Sequence, residues 1–112
     1  MQFKTKIETN IVLDFLKNKF DSSINKVEFL TGGEGSQAFS FGNNEKDYVI
    51  RINKNSNRAF LKDKYAFENY GKFIPIPKIY QIGQLDNGYY FAILQFLKKL
   101  KGLILPVYPI SR

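Results

Sequence analysis

Apolar residues recur along the chain with two different periods, and the switches between them mark out its elements. Ile11, Val12, Phe15, Leu16 and Phe20 lie one and three to four residues apart, the spacing of a helix with one apolar stripe. Thr9 stands where an N-cap is expected, and Asp21, Ser22 and Ser23 where the helix should stop. Val27, Phe29 and Thr31 then alternate with Glu28 and Leu30, which predicts a first strand. Gly32, Gly33, Glu34 and Gly35 form a glycine-rich turn. Ala38 to Phe41 make a second strand, and Gly42, Asn43, Asn44 and Glu45 a hairpin turn. Tyr48 to Asn53, dense in β-branched residues, predicts a third strand. A helix follows from Asn57 and stops at Gly71. Pro75 and Pro77 mark an extended crossing segment. Ile79 to Gln84 predicts a fourth strand, Asp86, Asn87 and Gly88 a turn, and Tyr89 to Leu97 a fifth strand.

The order is helix, three strands, helix, two strands, which predicts an α+β fold. Its sheet is five-stranded and antiparallel, with an N-terminal helix and one helix inserted after the third strand. A chain of 112 residues suits one domain. Residues 1–97 carry the pattern. From Lys98 to Arg112 it degrades into a stretch without acids, with two prolines and no clear period. Residues 98–112 therefore read as an aberrant or truncated tail.

Composition narrows the chemistry. The chain has no Cys and no His, so a disulfide framework, a thiolate metal site and every imidazole mechanism are excluded within it. The first residues hold no apolar signal-peptide core, and the apolar runs are too short to span a bilayer, which makes a cytoplasmic location the expectation. The net charge of +7 permits a second reading, a small basic binding module for nucleic acid or a partner protein. Against a nucleic-acid partner, 14 of the 17 cations are Lys and they are scattered apart from Lys98, Lys99 and Lys101.

Three features stand in an order that carries chemistry. Gly33-Glu34-Gly35-Ser36-Gln37-Ala38 joins two strands, and glycines there let backbone N–H groups approach phosphate oxygens. A plain tight turn is the competing reading, and no Gly-Lys-Ser/Thr follows, so this is not a P-loop. Arg51 lies on the third strand, sharing a face with Val49 and Asn53, while Tyr48, Ile50 and Ile52 share the other. A cation there needs an anion, unless it snorkels to solvent. Asp63 falls on the inward face of the second helix with Phe60, Ala66, Phe67 and Tyr70, which makes it the natural partner of Arg51; the alternative is Lys64 or solvent at the helix rim. A glycine-rich hairpin, a strand cation and a helix acid together match the small lobe of protein-kinase-like enzymes.

The stretches "GGEGSQAFSFG", "YVIRIN", "LKDKY" and "IPIPKIYQIG" resemble the aminoglycoside phosphotransferases, closest to the hygromycin-B-phosphotransferase type. The resemblance runs from about Val27 to Leu97 and implies an ATP- or GTP-dependent kinase of antibiotic resistance, of which this is the N-terminal nucleotide-binding lobe. It implies that Gly33, Gly35, Ser36 and Gln37 cover the nucleotide phosphates. Arg51 then takes the place of the strand cation and Asp63 that of the helix acid, where many members have Glu. Val49 lines the adenine pocket, Leu94 stands near the gatekeeper, and Gln95, Phe96 and Leu97 form the hinge. The departures are as informative. The family's catalytic loop needs a His and later acids, yet no His occurs and no Asp or Glu follows Asp86. No catalytic or metal-ligating residue is therefore assigned. Nucleotide binding by the lobe alone is expected to be weak, and Mg²⁺ is expected only in an intact enzyme. The missing parts point to a frameshift, a premature stop or a split gene, with a complementing C-terminal lobe or homo-association through the lobe's underside as the expected partners.

Overall fold

The computed structural model describes residues 7–33, 35–43 and 45–96. Two helices and five strands follow one another as α1 (Thr9–Lys19), β1 (Lys26–Gly33), β2 (Ser36–Gly42), β3 (Asp47–Asn53), α2 (Arg58–Tyr70), β4 (Ile79–Gln84) and β5 (Tyr90–Gln95). The strands form one antiparallel sheet in the order β1-β2-β3-β5-β4, with α2 as the long connection that lets β4 reach the outer edge. This is the α+β arrangement the hydrophobic pattern predicts. No helix among the described residues is long and apolar enough to cross a membrane.

The sheet carries a core on each side. Alternation along the strands sends Phe39, Phe41, Tyr48, Ile50, Ile52, Phe91 and Ile93 to one side, where Val12 and Leu16 of α1 and Ile24 close over them. Leu16, Phe39, Ile50 and Ile93 have no exposed surface. Phe20, Phe41 and Tyr48 pack ring against ring at centroid distances of 5.1–5.8 Å, which locks the end of α1 onto the hairpin between β2 and β3. The other side holds a smaller cluster of Phe60 from α2 with Ala92 and Leu94, flanked by Ile79, Ile82 and Tyr90.

Several boundaries differ from the sequence pattern, each for a local reason. Glu8, not Thr9, is the N-cap of α1, and it makes no side-chain cap bond. Asp21 lies past the helix end; its carboxylate accepts from the N–H and hydroxyl of Ser23 and from the Asn43 carboxamide at 2.7–2.9 Å, tying the helix exit to the β2–β3 turn. Ile11 is exposed rather than buried, because α1 turns its stripe of Val12 and Leu16 inward. β1 and β2 run closer together than expected: Gly32 pairs with Gln37 and Gly33 with Ser36, so only residues 34 and 35 are left to turn. A bulge between Phe29 and Thr31 leaves Leu30 outside the ladder. β5 ends at Gln95. Leu97 and the tail from Lys98 to Arg112 lie outside the described residues.

Candidate functional site

Sheet register builds the site on the α2 side. Opposed residues of an antiparallel pair share a face. Arg51 is opposite Ala38 on β2 and Ala92 on β5; Val49 is opposite Ser40 and Leu94; Asn53 is opposite Ser36 and Tyr90. The face therefore carries three rows. The middle one is a guanidinium between two buried methyl groups, of which Ala92 packs under Phe60 of α2.

The β1–β2 turn sits at the Asn53 end of these rows. Gly35 adopts φ +81°, in the left-handed region that only Gly enters at low cost, and an added Cβ would stand 3.2 Å from the Asn55 carboxamide nitrogen. The turn is fastened to the β3–α2 connection, since the Lys54 N–H donates to the Gly35 carbonyl at 3.1 Å. That connection is shaped in turn by Asn53, whose side-chain oxygen accepts from the N–H groups of Asn55 at 2.8 Å and Ser56 at 3.0 Å. The Ser56 hydroxyl accepts from the Arg58 N–H at 3.3 Å, capping α2 in place of Asn57.

Asp63 and Arg51 meet across the space between α2 and the sheet, but not as a salt bridge. Burial beneath the helix pushes the Asp63 carboxyl above the ordinary carboxylate range, and the Arg51 charge pulls it part of the way back. Arg51 itself stays exposed, and the ion pairs among the described residues are Lys26–Glu28 and Lys64–Glu68. The expectation of a closed pair is thus corrected to a charge coupling at longer range. Aspartate is one methylene shorter than glutamate, and from α2 it falls short of the strand. Lys64, the alternative partner, is taken by Glu68 at 3.0 Å. Phe60 and Asp63 do face inward, whereas Tyr70, expected on the same side, is exposed at the end of the helix.

At the opposite end of the rows, Leu94 is buried under Phe60, and Gln95 is engaged with the segment before β4. Its N–H donates to the Lys78 carbonyl at 2.9 Å and its side-chain oxygen accepts from the Lys78 N–H at 3.2 Å. Phe96 borders a groove of about 270 Å³ that also takes in Leu30 and Ser40. Neither Leu30 nor Ser40 stands out in the sequence; the adjacent pair Phe29-Leu30 does not by itself signal the bulge that frees Leu30, and Ser40 is found only through its register with Val49.

One predicted residue turns the other way. Gln37 alternates with Ala38 and shares the α1 side with Phe39. Its side chain is buried, accepting from the Ile7 N–H at 2.7 Å and donating to the Ile7 carbonyl at 3.3 Å. That carboxamide anchors the chain ahead of α1 and does not face the side of Arg51. A hollow of about 350 Å³ also opens on the α1 side, between Ile11, Phe15 and Leu85, and none of the predicted nucleotide residues lines it. No three acids gather among the described residues, so no magnesium ligand set is assigned to them.

No profile of a known protein family matches the chain. Over 91 residues it is 33% identical to hygromycin-B 4-O-kinase of Escherichia coli, an alignment covering 80% of this chain and 26% of that enzyme. The crystal structure of aminoglycoside phosphotransferase APH(4)-Ia superposes with a TM-score of 0.75 at 31% identity, over 83% of this chain and 31% of that one. A thermostable mutant of it, in ternary complex with AMP-PNP and hygromycin B, superposes with a TM-score of 0.72 at 31% identity, over 80% of this chain and 30% of that one. The chain spans less than a third of the length of each of these relatives.

Proposed function

We propose that this chain, similar in sequence and fold to the N-terminal part of the aminoglycoside phosphotransferases, is a kinase-like lobe of that family and that its Arg51 face holds a nucleoside triphosphate. The terminal phosphoryl group would be destined for a hydroxyl of an aminoglycoside. The observation that carries this reading is the Ala38–Arg51–Ala92 row with the Gly35 turn at its end. Arg51 holds the α- and β-phosphates with charge-assisted hydrogen bonds, and the backbone of Gly33, Gly35, Ser36 and Gln37 covers them. The base lies over Val49, with the buried Leu94 behind it and its edge toward Gln95 and Phe96. Asp63 holds the guanidinium in place by charge.

Transfer forms a bond from the acceptor oxygen to the γ-phosphorus and breaks the bond to the β–γ bridging oxygen, releasing the nucleoside diphosphate. The acceptor's proton needs a base, and this sequence offers no His and no acid after Asp86. Magnesium, when bound in a whole enzyme, neutralises charge on the phosphates. On this reading the base, metal ligands and acceptor site belong to the portion of the relatives that this chain does not span, and no transfer by the chain alone is expected. Aminoglycoside-dependent release of ADP by the pure chain would refute that last statement.

Binding is tested by titrating ATP into the 112-residue chain and following amide shifts by NMR. The expected Kd is on the order of 1 mM, about −4 kcal/mol, with shifts at Gly35, Ser36, Val49 and Leu94. Arg51→Ala weakens it at least about tenfold, the loss of hydrogen bonds to a charged group. Equal binding by wild type and variant, or shifts confined to the α1 side, overturns the assignment.

A further inference from the structure

The hydrogen bonds at the open end of the site form a chain that runs from one side chain to the glycine turn. Asn53 ends β3 on the Arg51 face, half-buried, in the row with Ser36 and Tyr90. Its side-chain oxygen accepts two backbone N–H groups, those of Asn55 and Ser56, and so folds residues 54–56 into a fixed turn. That turn aims the Lys54 N–H at the Gly35 carbonyl and places the Asn55 carboxamide nitrogen 3.2 Å from where a Cβ on Gly35 would stand. Gly35 is the one described residue between β1 and β2, and it has no side chain with which to hold its own position. The connection after β3 is therefore the scaffold on which the turn rests.

We propose that Asn53 is a positioning residue for the glycine turn: it touches no phosphate, and it sets where the backbone N–H groups of the turn stand by fixing the connection that holds Gly35. The inference deepens the nucleotide reading and rests on it only for its effect on binding. A phosphate-covering turn is useful when its N–H groups are already in place, because ordering them on binding costs affinity. An Asn at this point places an acceptor where two adjacent N–H groups would otherwise seek water. The sequence signal is Asn53-Lys54-Asn55-Ser56 directly after a strand, a polar run suited to side-chain-to-backbone bonding.

The test compares Asn53→Ala and Asn53→Asp in the full 112-residue chain. Hydrogen exchange of individual amides is the first readout, and titration with ATP and with adenosine the second. Asn53→Ala is expected to speed exchange of the Lys54 amide while the core amides of Ile50 and Ile93 keep their rates. Asn53→Asp, which retains the acceptor oxygen, restores the slow Lys54 exchange. ATP binding by Asn53→Ala weakens about fivefold, the size of one pinning hydrogen bond, and adenosine binding does not change. Three results overturn the inference: unchanged Lys54 exchange in Asn53→Ala, equal acceleration at Ile50 and Ile93, or equal weakening of ATP and adenosine. If the wild-type chain binds no ATP, the nucleotide reading fails by itself, and Lys54 exchange alone decides whether Asn53 holds the turn.

Discussion

Asp63 shows how one atom of reach changes the role of a charge. Its carboxyl is lifted mainly by burial, with Arg51 as the smaller, opposing influence, so the folded chain holds that proton to higher pH than the unfolded chain does. The stability tied to Asp63 is complete below its unfolded value of 3.8 and drains away as pH rises through the raised folded value. Asp63→Asn is therefore expected to raise the urea midpoint at pH 7, with the unfolding free energy up by less than about 1 kcal/mol because the group remains partly solvated, and to leave both unchanged near pH 3. A lower midpoint at pH 7 would mean that the Arg51 coupling outweighs desolvation. Face parity made both residues of this pair legible: the Tyr48, Ile50, Ile52 set declares the core side of β3, so Arg51 lies opposite. The gap between them was not legible, because helix phase gives a direction and not a distance. The same parity read along β2 would have placed Gln37 with Phe39 and Phe41, since two phenylalanines announce the core side.

At the scale of elements, β4 is read residue for residue from sequence, Ile79 to Gln84, because the prolines before it and the Asp-Asn-Gly turn after it bound it on both sides. β1 and β2 are read too short for an equally local reason. Glycine often ends a strand, yet Gly32 and Gly33 stay in the ladder because Gln37 and Ser36 are there to pair with them. The turn is consequently tight, and its geometry rests on Gly35 alone among the described residues. Gly35→Ala must adopt φ +81° with a Cβ, at a cost of about 1–2 kcal/mol. Thermal unfolding should fall by about 5–10 °C, with nucleotide binding weakened alongside. An unaltered midpoint would show that the turn relaxes to an ordinary φ. The bulge at Phe29/Thr31 coincides with the one break in alternation, the adjacent apolar pair Phe29-Leu30, but that pair does not by itself tell a bulge from an exposed leucine.

The whole molecule presents an uneven surface. Phe73 is 78% exposed, and Ile74 and Tyr70 are about half exposed beside it, ahead of the segment that meets Gln95. Fully covering such a group contributes about 1.5–3 kcal/mol per side chain, which makes this patch the place to test for self-association. Phe73→Ser is expected to weaken self-association by at least about tenfold in sedimentation equilibrium, without moving the thermal midpoint; equal association by both forms would assign the contact elsewhere. The overall architecture was legible because each element's pattern agreed with its neighbours; the surface was not, since exposure of an apolar residue depends on what the fold leaves uncovered. The unequal cores have a final consequence. Among the described residues, eleven buried side chains form the core between α1 and the sheet, while α2 rests on a cluster of three. Detaching α2 therefore requires only a fraction of the free energy of global unfolding. The helix that carries Asp63 is a loosely moored float on a rigid raft, and its berth beside Arg51 is adjustable where the strands are not.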